Sequence, residues 1–277
     1  MPRIALGVEY DGSRFHGWQT QQPGVRTVQQ EVEKALSRVA NHPLAISCAG
    51  RTDKGVHASG QVVHFDSDAT RSMRSWVMGA NTNLPRDIAI RWAHPVRDDF
   101  HARYKAFFRR YRYVIYNSPV RPALFGSQLT WHYRELDIAP MQEAAALLLG
   151  THDFSAFRGV QCQAKTPVKT LEKLEVTRRG RLVLIEAKAD AFLMHMVRNF
   201  AGVLMAIGEG NARPEWAREV LESRDRTAGG VTAPPGGLYL VEIGYPAEFE
   251  VPVSRPGPVW LEGMAGSLEA RGQALDA

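Results

Sequence analysis

An apolar run, Ile4–Tyr10, opens the chain as a strand, and Asp11-Gly12-Ser13 breaks it. Val28, Val32, Ala35, Leu36 and Val39 then recur at helical spacing, so residues 28–40 are expected to form an amphipathic helix. Thr27-Val28-Gln29-Gln30 has the spacing of a capping box, in which the Thr hydroxyl accepts from a first-turn amide and Gln30 reaches back. Short strands over Leu44–Cys48 and Gln61–Phe65, a helix over 71–81 and a strand over Ile88–Ala93 complete a β-α-β-β-α-β order, the ferredoxin-like arrangement. A similar, longer series follows. Its strands are Phe107–Tyr116 and Leu129–Tyr133, a helix over Met141–Leu149 stops at Gly150, and Thr170–Thr177 with Arg181–Ala189 form a hairpin. Helices over Phe192–Ile207 and 215–223 precede a last strand, Leu238–Ile243. The end, Pro252–Ala277, has no sustained apolar period and is expected to pack loosely.

Composition adds bounds. A chain of 277 residues suits two domains, and 44% hydrophobic residues supply a sizeable core. The net charge of +5 suits a polyanionic partner without singling out RNA. Cys48 and Cys162 stand far apart in no metal-like spacing, which fits a reducing compartment and predicts two buried small hydrophobes. No apolar run reaches the ~18 residues of a membrane span, and the start lacks the apolar stretch of a signal peptide, so a cytoplasmic location is expected. Asp11, Asp66 and Asp68 lack His or Cys at ligand spacing, and there is no P-loop cradle.

The densest chemistry lies in Ala49-Gly50-Arg51-Thr52-Asp53-Lys54-Gly55-Val56-His57-Ala58. Glycines bracket an Asp two residues from an Arg and four from a His, which describes a carboxylate kept anionic on a tight loop, ready to act as base or nucleophile. A solvated surface Arg–Asp pair is the competing reading. Residues 50–58 resemble the signature of the tRNA pseudouridine synthase A family, with Lys54 where that family generally has Ala. The likeness extends to Phe15-His16-Gly17-Trp18-Gln19, Asp99-Phe100-His101-Ala102-Arg103, Arg109-Arg110-Tyr111-Arg112-Tyr113, His152-Asp153-Phe154, His195-Met196-Val197-Arg198-Asn199 and Pro235-Gly236-Gly237-Leu238-Tyr239-Leu240. It fades after about Glu248.

The resemblance implies an α+β fold of two ferredoxin-like domains, 1–104 and 105–248, with joined antiparallel sheets, a central cleft and a tail at 249–277. It implies an isomerase that converts uridine to pseudouridine at positions 38, 39 and 40 of the tRNA anticodon arm, working as a homodimer. Because the reaction rearranges one nucleoside without redox change, neither a metal nor a cofactor is expected. Asp53 is the implied nucleophile or base, with Arg51 and Arg198 as its cations. Tyr111 would lie against the uracil, Tyr113 in the core, and Leu238 along the pocket. Without the family, Arg198 reads as a helix-edge Arg with its stem on the core. His195 reads as structural or phosphate-facing, paired with Asn199. Arg14, Arg26, Lys54, Arg103, Arg109, Arg110 and Arg112 are candidate phosphate contacts. Two further functions compete: an idle RNA-binding protein on the same scaffold, and a hydrolase pairing Asp53 with His57.

Overall fold

The computed structural model describes residues 1–253 and 257–262. Its first half runs β1 (Arg3–Tyr10), α1 (Val28–Ala40), β2 (Ser47–Cys48), β3 (His57–Asp66), α2 (Met73–Asn83) and β4 (Ile88–Val96). The second runs β5 (Phe108–Asn117), β6 (Thr130–His132), α3 (Ile138–Ala146), β7 (Gly150–Asp153), β8 (Val168–Arg179), β9 (Leu182–Ala189), α4 (Met196–Gly208), α5 (Trp216–Ser223) and β10 (Leu238–Gly244). Among the described residues no helix is long and apolar enough to cross a membrane.

All ten strands form one mixed, mostly antiparallel sheet in the order β4-β1-β3-β10-β5-β9-β8-β7, with β2 added to β3 and β6 to β5. Alternation decides its two faces. Leu6, Val8, Tyr111, Tyr113 and Ile115 share one apolar cluster with Val32, Leu36, Met141, Phe200 and Leu204, so the helices of both halves cover the same face. Arg110 and Arg112 point the other way, toward Glu242 and Glu186. The two antiparallel sets of strands meet through one parallel pair. β3 and β10 run parallel, with Tyr239 opposite His57 and Leu240 opposite Ala58, because β10 returns through the α4–α5 crossover. β1 fills one edge of β3, so β2 and β10 lie in tandem along the other. The 49–56 loop leaves the sheet at that seam.

Some local expectations change. Thr27 precedes α1 without capping it; its hydroxyl donates to Gln30 Oε1 at 3.0 Å instead of accepting a backbone amide. α4 begins at Met196 and not at Phe192, because His195 has φ 64° and a right-handed helix cannot pass through a left-handed residue. Both cysteines are half-buried. Within the segment expected to be loose, Gly257, Pro258 and Leu261 are buried, and Leu261 joins a cluster with Val114, Tyr239 and Val241. The rest of that expectation falls on residues 254–256 and 263–277, outside the described residues.

Candidate active site

The Asp53 loop is clamped at both ends. Buried Gln61 holds its start: Nε2 donates to Gly50 O at 2.6 Å, and Oε1 accepts from Gly50 N at 3.4 Å. Thr52 is gripped in the middle, its carbonyl accepting from Trp18 N at 3.0 Å and its hydroxyl bonded to the Tyr10 hydroxyl at 2.8 Å. Gly55 closes the turn at φ 80° and donates to Phe15 O at 3.3 Å. Gly17 adopts φ 93°, and a Cβ there would stand 2.6 Å from Thr52 O. The Phe15–Gln19 motif is thus the cradle of the loop.

The carboxylate so presented is partly exposed, and it meets α4. Arg198 Nη1 lies 3.7 Å and His195 Nε2 3.5 Å from Asp53 Oδ2. Both separations exceed a hydrogen bond, so the carboxylate has a counter-charge while its lone pairs stay available. Arg198 is aimed from behind: Nε donates to Ala233 O at 2.8 Å, and its own carbonyl accepts from Ala233 N at 3.1 Å. Asn199 and Thr232 accept and relay bonds from Arg226, which holds the 225–233 loop against α4. Burial pulls the His195 pKa below its ordinary value, Asp53 opposes this, and Arg198 and Arg226 reinforce it, which leaves a neutral ring at neutral pH.

Tyr111 sits beside this group on β5, opposite Leu240 of β10 and edge-on to Phe192 at 5.0 Å. A Cβ on Gly50 would stand 3.8 Å from its hydroxyl, so loop and tyrosine face each other across the seam. Burial, and then the Asp53 charge, push the Tyr111 phenol well above its ordinary pKa. Tyr113 is core, with its hydroxyl donating to Pro234 O at 2.7 Å. Leu238 is buried opposite Tyr113, two pairs along from Leu240, which is the residue that faces Gly50.

Side-chain direction bears on four of the sequence readings. Arg51 is exposed and, among the described residues, forms no ion pair with Asp53. The neutral His195 ring lies against the carboxylate instead, 3.5 Å from Asp53 Oδ2, while its link to Asn199 is the backbone bond of the helix. His57 faces away and braces the seam. Its Nδ1 accepts from Gly12 N at 3.0 Å and lies 3.1 Å from Asp11, and Nε2 meets the carbonyls of Ser127 and Gly236 at 3.1 and 3.0 Å. A hydrolase built on Asp53 with His57 therefore lacks its second group. Of the basic residues, Arg26 is forked onto Asp87, Arg110 pairs with Glu242, Arg112 with Glu186, and Arg109 donates to four backbone carbonyls. Arg14, Lys54 and Arg103 stay exposed without an acidic partner among the described residues.

The sequence model for tRNA pseudouridine synthases matches residues 7–105 and 144–246. Proteins named tRNA pseudouridine synthase A are similar over nearly their whole lengths. That of Alcanivorax borkumensis is 64% identical over 94% of this chain and 98% of its own. That of Coxiella burnetii is 58% identical over 94% and 100%, and that of Pseudomonas aeruginosa 58% over 95% and 92%.

Proposed function

The chain belongs to the tRNA pseudouridine synthase family, and on that premise we propose how it converts uridine to pseudouridine in tRNA. Asp53 is the nucleophile or base. The observation that carries this reading is the partly exposed Asp53 carboxylate facing Arg198 and His195 on a doubly clamped loop, with Tyr111 across the seam. The reaction breaks the N1–C1′ bond, turns the uracil, joins C5 to C1′ and moves the C5 hydrogen off the ring, so N1 ends protonated and no atom is lost. Asp53 is placed to engage the nucleoside during that exchange. Tyr111 offers its ring to the freed uracil. Its hydroxyl, held protonated, would receive the C5 proton while passing its own to the Asp53 carboxylate, the neighbouring charge, a relay rather than a resident phenolate.

The substrate region is the anticodon arm, at positions 38, 39 and 40, and the molecule divides into ferredoxin-like units 1–104 and 105–248 around a cleft at the seam. Support for the units comes from the strand order β4-β1-β3-β2 in the first half and from a family match that splits at residue 105. A homodimer fits the exposure of Val120, Leu124, Phe125, Trp131 and Tyr133 between β5 and α3, and the cytoplasm fits a tRNA substrate. The test is to incubate unmodified tRNA transcripts with the enzyme and map pseudouridine by nucleotide. The expected result is product confined to positions 38–40. Product elsewhere in the tRNA would overturn the assigned region, and no product would overturn the activity.

A further inference from the structure

Tyr104 has an exposed ring on a firmly held turn. It is 74% exposed, yet Arg103 N and Tyr104 N both donate to His101 Nδ1, at 3.1 and 3.4 Å. Ala102 N donates to His64 Nδ1 at 3.2 Å, and the Tyr245 hydroxyl donates to Ala102 O at 2.6 Å. The rings form a ladder, His64 to His101 at 4.6 Å and His101 to Tyr104 at 4.3 Å, with Arg103 5.7 Å from the outermost ring. That last ring is exposed, while the backbone that carries it is held in place and its inner side rests on His101.

The turn is tied to the catalytic loop. One Arg109 nitrogen, Nη2, donates to Arg103 O at 2.7 Å and to Ala49 O at 3.3 Å, at the start of the Asp53 loop. Arg51 follows Ala49 by two residues and Arg103 precedes Tyr104, so this shared donor joins the two backbone stretches that carry these exposed guanidiniums. A pre-ordered aromatic face beside unpaired cations is the combination that holds a single-stranded nucleotide: the ring stacks the base and the cations take its phosphates.

We propose that Tyr104, with Arg103 and Arg51, stacks an unpaired base of the tRNA beside the uridine that reacts. The proposal rests on the reading of the chain as a tRNA-acting enzyme, and its test reads binding, so it fails separately from the activity. Affinity for a tRNA transcript is measured by fluorescence anisotropy for wild type and for Tyr104→Phe, Tyr104→Leu and Tyr104→Ala, with thermal unfolding as the control on folding. Tyr104→Ala and Tyr104→Leu should weaken binding by about 5- to 100-fold, and Tyr104→Phe by no more than about twofold. Transcripts carrying single abasic sites then identify the base: one site should weaken wild-type binding and produce no further loss in Tyr104→Leu. Wild-type affinity in Tyr104→Leu, or an equal loss in Tyr104→Phe, would overturn the proposal, as would additive losses at every abasic position.

Discussion

The chemistry proposed for Asp53 depends on direction as much as on proximity. Arg198 offers a guanidinium whose Nε is committed to Ala233 O, leaving Nη1 to face the carboxylate. A lysine cannot do both. Arg198→Lys should lower turnover roughly 100-fold with tRNA affinity within severalfold, measured by single-turnover kinetics beside a binding titration. Near-normal turnover would make Arg198 a helix-edge residue with a structural stem. Tyr111→Phe keeps the ring and removes the relay. Binding should hold while turnover drops at least about 100-fold, and a small drop would leave Tyr111 with stacking alone.

At the scale of elements, the turn after β4 is sensitive to acid through His64. Burial, the neighbouring His101 and Arg3 bring its pKa from 6.5 down to about 4, and its Nδ1 must stay unprotonated to accept from Ala102 N. A group whose folded pKa is depressed in this way binds its proton more readily in the unfolded chain. Its contribution to stability is therefore complete above pH 6.5, declines between 6.5 and about 4, and is absent below. Thermal unfolding across that window should show a steeper decline for wild type than for His64→Gln; parallel curves would contradict it. Periodicity made α1, α2 and α5 legible within a few residues, since each buries one regular face, and β10 was legible as a short apolar run buried on both faces. It overextended β2, because Leu44 N donates to Ser37 Oγ and Ile46 N to Glu33 Oε1, helix side chains that take bonds a strand would need. It missed β7, Gly150–Asp153, which has no apolar alternation and exists only as a partner of β8. Asp53 could be singled out as a candidate from the sequence because its motif is local. The approach of His195 to Asp53 was not, because it depends on a left-handed residue that starts α4 under the loop.

At the scale of the molecule, β10 joins the two halves, and the Asp53 loop, Tyr111 and the start of α4 converge where it meets β3 and β5. The exposed Arg14, Arg51, Lys54 and Arg103 define the charge available to the RNA near that seam. If each neutralises one phosphate, log affinity should fall with log salt at a slope of roughly −3 or steeper. A flat response would remove phosphate contact from the account. The central claim, isomerisation by Asp53, is tested most directly with tRNA tritiated at uracil C5. Wild type should release that tritium to water, and Asp53→Asn should release none while still binding tRNA within severalfold of wild type. Substantial tritium release by purified Asp53→Asn would contradict the account.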